Sequence, residues 1–176
     1  MTQLELLDSI QPISLRKRIK GEFYRMLPIY NNVTINKEKD KLNFVIEKTD
    51  KNQKKIIYKF VISNHYPYHP PVVFINNIHY GQYLQCPNKF LNILKYIRGI
   101  DCLCCVSCTC KSNWFPAMTL KYILEEIENN NNTKHNIMMK ILLDKIKEKF
   151  LNRDIDLDSW LFRIACPGII IPGSIY

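Results

Sequence analysis

Leu15, Ile19, Phe23, Met26 and Leu27 recur at three- and four-residue spacing, the period that lines up side chains on one face of a helix. Ser14 stands where an N-cap would accept the first free N–H groups, and Pro28 ends the pattern near Leu27. Arg16, Lys17, Lys20 and Arg25 fall largely off the apolar face, so segment 15–30 predicts an amphipathic helix with a basic outer side. The period then changes to two. Residues 33–35 form a short strand, Leu42, Phe44 and Ile46 alternate with polar or small partners, and residues 54–63 carry Ile57, Tyr58, Phe60, Val61 and Ile62. The polar run 48–52 reads as a hairpin loop between them. His65-Tyr66-Pro67-Tyr68-His69-Pro70-Pro71 cannot be helical, and residues 72–75 make a fourth strand.

From 76 to 110 the periodicity is poor, apart from a short helix over 90–96 that places Phe90, Ile93, Leu94 and Ile97 on one face. A helix follows over 119–128 on Leu120, Ile123, Leu124 and Ile127; the asparagine run 129–132 is expected to break it before another amphipathic helix over 137–151. The tail 167–176 holds two Pro-Gly pairs and reads as a packed extended segment. With no internal repeat and no linker, the expectation is one domain over 1–176, with a core at about 14–128 and a helical extension over 129–176. Helix, four-stranded antiparallel meander, long irregular segment and C-terminal helices make an α+β plan.

Composition narrows the setting. A hydrophobic share of 47% in 176 residues suffices for a sizeable core, and 23% charged residues argue against a disordered chain. No apolar run approaches the roughly 20 residues that span a bilayer. Glu5 and Asp8 within the first ten residues do not fit a secretory signal, so an intracellular protein, cytoplasmic or nuclear and without a membrane partner, is expected. The cysteine count of seven is odd and five lie between Cys102 and Cys110, which fits reduced thiols or metal ligands better than a disulfide framework. The net charge of +9 favours acidic partners, but it is scattered over lysine-rich hairpins and helix faces, so nucleic acid is not the expected one.

Three motifs carry a family resemblance. Tyr66-Pro67-Tyr68-His69-Pro70-Pro71 before a hydrophobic strand, Gly99-Ile100-Asp101-Cys102-Leu103, and Trp114-Phe115-Pro116-Ala117-Met118-Thr119-Leu120 opening a helix occur in that order. Together with the basic entry helix at Lys17-Arg18-Ile19-Lys20, they make residues 15–128 resemble the ubiquitin-conjugating enzymes. The chain departs from that family in its plain hairpin over 43–60 and its longer segments before Cys102 and before Trp114. The family's His-Pro-Asn is also not intact, Cys86-Pro87-Asn88 being the nearest match and Ile78-His79-Tyr80 a rival position for it.

The resemblance implies a transferase that accepts ubiquitin or a ubiquitin-like modifier from an activating enzyme as a cysteine thioester, then passes it to a lysine or a ligase thiol. A thiolate suits this chemistry because it both attacks and leaves well. By resemblance Cys102 is the nucleophile and Asn88 the amide donor to the oxyanion; Cys104 and Cys105, nearer the usual spacing to Trp114, remain alternatives. Lys17 and Arg18 would meet the activating enzyme, and Tyr68, Pro116 and Ala117 a ubiquitin ligase. No cofactor or metal is expected. Two other readings stay open: a catalytically inactive module of the same fold that binds ubiquitin or partner proteins, and a zinc-binding interaction protein. In the latter, Cys105 and Cys108 would be the first ligand pair, with Cys102 or Cys110 and Cys86, or a histidine such as His79, completing the set.

Overall fold

In the computed structural model, residues 2–30, 32–38, 41–50 and 53–151 are described. The chain divides at Thr133/Lys134 into two compact units. The first opens with a helix that the hydrophobic pattern did not show. Thr2 Oγ1 accepts the Glu5 N–H at 3.3 Å and Glu5 Oε2 accepts the Thr2 N–H at 2.8 Å, a reciprocal capping box that starts α1 (Gln3–Asp8). Its Gln3 Oε1 accepts the backbone N–H of Ile35 at 2.7 Å, covering part of an edge strand.

Helix α2 (Ile13–Met26) starts two residues earlier than Ser14 suggests. The cap is Pro12, whose ring fixes φ at −71° and whose carbonyl accepts the Arg16 N–H at 3.1 Å. Ser14 therefore lies exposed inside the first turn and caps nothing. Leu15, Ile19, Phe23 and Met26 are buried, as the helical spacing requires.

Five strands follow in chain order as an antiparallel meander: β1 (Asn32–Glu38), β2 (Lys41–Thr49), β3 (Lys55–Ile62), β4 (Val72–Ile75) and β5 (Ile78–His79). The register sets Ile35 opposite Phe44, Phe44 opposite Phe60, and Phe60 opposite Val73, so one face of the sheet is a continuous apolar row. Phe23 of α2 meets Phe44 edge-on at 6.3 Å, and Phe44 meets Phe60 at 6.5 Å. Each such buried ring contributes about 1.5–3 kcal/mol relative to exposure. The fifth strand corrects the four-stranded expectation. Asn76 and Asn77 both adopt positive φ, 49° and 66°, which makes a two-residue hairpin turn that a poor hydrophobic period cannot announce.

Three short or irregular elements lead to the last helix: α3 (Tyr80–Tyr83), α4 (Asn88–Arg98) and α5 (Leu103–Val106). In α4, Phe90 and Leu94 are buried while Ile97, expected on the same face, is exposed. The final helix, α6 (Leu120–Leu151), is continuous through the asparagine run that was expected to break it. Asparagine is a weak helix former, not a chain breaker, and its propensity loses here to tertiary anchoring. Asn130 is buried with its Nδ2 on the Tyr80 hydroxyl at 2.9 Å, and Thr133 Oγ1 bonds back to the Asn129 carbonyl at 2.8 Å. Within the first unit, α6 buries Leu120, Ile123, Leu124 and Ile127. In the second, Met138, Met139, Leu142 and Leu143 are exposed on it. No described helix is long and apolar enough to cross a membrane. The tail 167–176, expected to be packed and extended, lies outside the described residues.

Candidate functional site

The cysteine loop is aimed by a glycine. Gly99 ends α4 in the left-handed region, at φ 67°, with its N–H on the Lys95 carbonyl at 2.8 Å. A side chain is disfavoured in that conformation, which accounts for glycine three residues before Cys102. Cys102 is extended and occupies the N-cap of α5, where its Sγ accepts the Cys105 N–H at 3.3 Å. The thiol takes the place that serine or aspartate more often fills.

Three thiols converge there. The Cys104 thiol donates to Cys102 Sγ at 3.1 Å, Cys104 and Cys105 sulfurs are 4.0 Å apart, and all three sulfurs lie within 4.8 Å of one another. Cys102 is half-buried; Cys104 and Cys105 are exposed. Hydrogen bonds from Cys105, first, and Cys104 hold the Cys102 thiol below its ordinary pKa. The same bonds act oppositely on the donors: bonding to Cys102 raises Cys104, and pushes Cys105 up to about 12. Within the cluster, Cys102 is the acceptor.

The loop is held from below by Glu126 of α6. Its Oε1 accepts the Tyr80 hydroxyl at 3.0 Å and the Ser107 hydroxyl at 2.7 Å, and its Oε2 accepts the Cys108 N–H at 2.6 Å. Asn113 closes the other side, its amide nitrogen donating to the carbonyls of Cys105 at 2.7 Å and Ser107 at 3.1 Å. Cys108 points inward, 3% exposed, and burial followed by the Glu126 carboxylate raises its thiol strongly. It therefore does not join the thiol group, and the Cys105/Cys108 ligand pair of the zinc reading is replaced by Cys102, Cys104 and Cys105. His79 is likewise engaged elsewhere, its Nδ1 accepting the Gly81 N–H at 3.1 Å as the cap of α3. Cys86 is half-buried, with its thiol 3.5 Å from the Leu84 carbonyl.

A cleft of about 480 Å³ runs beside the cluster, between Pro70, Pro71, Val73, Tyr80 and Leu84, and reaches Cys104. Asn88 is exposed at the first residue of α4, and its side-chain amide makes no hydrogen bond to a described residue. The amide nearest the loop by bonding is Asn113, and it is committed to backbone carbonyls.

The surface motifs meet one another. Trp114 Nε1 donates to the Pro67 carbonyl at 2.7 Å and its ring lies 6.1 Å from that of Tyr66, clamping two loops distant in sequence. Tyr66 in turn donates its hydroxyl to Glu22 at 3.0 Å, and Glu22, 1% exposed, also accepts the Leu120 N–H at 3.3 Å. Arg18 Nε is 3.0 Å from the Glu22 carboxylate, its guanidinium reaches the Met118 carbonyl, and it lies 5.7 Å from the centre of the Tyr66 ring. Arg18 thus ties α2 to both loops, whereas Lys17 faces solvent. The clamp leaves Tyr68 (77% exposed), Phe115, Pro116 and Ala117 outward. The sequence marks none of Glu22, Glu126 and Asn113: the two glutamates act through partners far along the chain, and Asn113 through backbone carbonyls, which no residue type announces.

Compared with known proteins, the chain matches no family model, no curated protein and no solved structure.

Proposed function

We propose that this chain is a conjugating protein of the ubiquitin-conjugating type, which receives the C-terminal carboxyl group of a small protein modifier on Cys102. The observation that carries the reading is that Cys102 accepts two hydrogen bonds, one from the Cys105 N–H and one from the Cys104 thiol, on a loop aimed by Gly99. Such donors stabilise sulfur as an anion, the form that attacks and leaves. Cys104 and Cys105 then serve as donors beside the nucleophile.

The step balances without redox change. The Cys102 sulfur attacks the modifier's thioester carbonyl on the activating enzyme, a tetrahedral oxyanion forms, and the activating enzyme's thiolate leaves. A lysine amine or a ligase thiol later attacks the new thioester and Cys102 leaves as thiolate. Asn88 is the amide offered to the oxyanion in this reading; a donor of that kind is worth on the order of 10²–10³ in rate. The cleft reaching Cys104 is open enough to seat an extended peptide tail. On the clamp face, Tyr68, Pro116 and Ala117 offer apolar contact to a ligase, and Lys17 offers charge to an activating enzyme.

A second reading, a binding module of the same architecture without chemistry, is favoured by one observation: Asn88 makes no bond toward the cysteines. The two readings separate in one assay. With activating enzyme, ATP and modifier, the first expects a reductant-sensitive adduct that Cys102→Ser abolishes and Cys104→Ser retains. No adduct with any of several activating enzymes leaves the binding module as the account.

A further inference from the structure

We infer that Cys102, Cys104 and Cys105 form a three-thiolate site for a zinc ion, its fourth position open to water or an exogenous ligand. The proposal goes beyond the thioester reading and competes with it for one atom, since a sulfur bound to zinc cannot also carry an acyl group.

Tetrahedral zinc with bonds of about 2.3 Å to sulfur sets its ligand sulfurs about 3.8 Å apart. The Cys102–Cys104 contact of 3.1 Å and the Cys104–Cys105 separation of 4.0 Å bracket that value, and no pair in the group exceeds 4.8 Å. Adjustments of less than about 1 Å complete the site, within reach of rotating two exposed side chains. The frame beneath is already ordered by Glu126 on Cys108 and Ser107 and by Asn113 on Cys105 and Ser107, so little of the loop must be arranged on binding. The Cys105 N–H directed at Cys102 Sγ is the outer bond that orients a thiolate ligand.

Chemistry narrows the metal. Three sulfurs with no carboxylate or imidazole in the group select a soft or borderline ion over magnesium or calcium. A closed structural zinc site has four protein ligands, whereas the described residues supply three, which is the ligand count of an open site. On binding, each thiol gives its proton to solvent and three sulfur–zinc bonds replace three S–H bonds and the displaced zinc–water bonds, with no change of oxidation state.

The experiment uses the full chain, reduced, stripped with chelator and titrated anaerobically with zinc against a chromogenic competitor, followed by native mass spectrometry. One equivalent of zinc is expected. Loss of any one ligand, as in Cys104→Ser or Cys105→Ser, should weaken binding by on the order of 100-fold or more, while Cys110→Ser retains it. Cobalt in place of zinc should show sulfur-to-metal charge transfer, and bound zinc should slow alkylation of Cys102. Cys104 and Cys105 are exposed, so circular dichroism of the serine variants should match the parent and separate ligand loss from misfolding. Absence of stoichiometric zinc overturns the proposal, as does zinc retained by the Cys104→Ser, Cys105→Ser double variant. Stoichiometric copper(I) binding by a chain that rejects zinc also overturns it. None of these readouts depends on thioester formation.

Discussion

Replacing Glu126 tests how the cysteine loop is held. In Glu126→Ala, three donors lose their acceptor together: the Tyr80 hydroxyl at 3.0 Å, the Ser107 hydroxyl at 2.7 Å and the Cys108 N–H at 2.6 Å. Hydrogen bonds to a charged group contribute roughly 1.5–3 kcal/mol each, which sets a ceiling well above what will be measured. Glu126 is half-buried, so water replaces part of what is lost, and the expected destabilisation is about 2–4 kcal/mol. Glu126→Gln keeps one acceptor oxygen but faces a donor with a donor on the other side. Ser107 and the Tyr80 hydroxyl already accept from Thr109 N–H and Asn130, so neither adapts freely, and about 1–2 kcal/mol is expected. Urea unfolding followed by circular dichroism measures both variants. Thiol counting gives a second readout: Cys108, 3% exposed in the parent, should become reactive under native conditions in Glu126→Ala. A change below about 0.5 kcal/mol, the range of ordinary surface substitutions, with Cys108 still protected would refute Glu126 as the organiser of the loop.

Further outcomes follow from the same bonds. Glu22→Ala removes a buried carboxylate from Arg18, Tyr66 and the Leu120 N–H and should cost about 3–5 kcal/mol by denaturant unfolding; Tyr66→Phe, losing one bond, should cost about 1–2. Gly99→Ala places a side chain at φ 67° and should cost about 1–2 kcal/mol while leaving open space around the new methyl group, so any larger loss contradicts a purely conformational role. Alkaline titration should show late phenols: burial first, with Glu128 for Tyr58, Glu22 for Tyr66 and Glu126 for Tyr80, raises all three, Tyr58 to about 12. Because these folded values lie above the ordinary 10, their stabilisation is complete below pH 10 and is lost as the pH climbs through them; a single absorbance step near pH 10 for every tyrosine would contradict it.

The elements legible in the sequence were those whose period is set by one buried face. Tyr58, Phe60 and Ile62 alternate with partly exposed residues in β3, and Leu15, Ile19 and Phe23 keep helical spacing in α2, so the pattern reports burial directly; in β2 the polar Asn43 is buried beside Phe44, which the pattern does not report. Pairing between distant motifs is not periodic. Trp114 and Pro67 lie 47 residues apart, and their motifs could be recognised singly, but the bond joining them could not. Glu22 and Leu120 are 98 apart, and a buried glutamate on an otherwise charged helix carries no local mark. Two misses did have local signals. Thr2 and Glu5 spell a capping box, and Asn76-Asn77 is chemistry suited to a positive-φ hairpin turn. The asparagine run misled because composition was weighed without the anchor that Tyr80 provides to Asn130. Within the cysteine run, spacing counted Cys105 and Cys108 as partners, whereas the inward turn at Ser107 and Cys108 toward Glu126 separates them.

The most direct test of the account is the intact mass of the full chain after incubation with activating enzyme, ATP and modifier, under non-reducing conditions and with the attachment site mapped. A mass increase of one modifier is expected, released by thiol reductant, located at Cys102 and absent from Cys102→Ser. An adduct mapped to Cys104 or Cys105, or one that survives in Cys102→Ser, would contradict the assignment of Cys102 as the acceptor of the modifier.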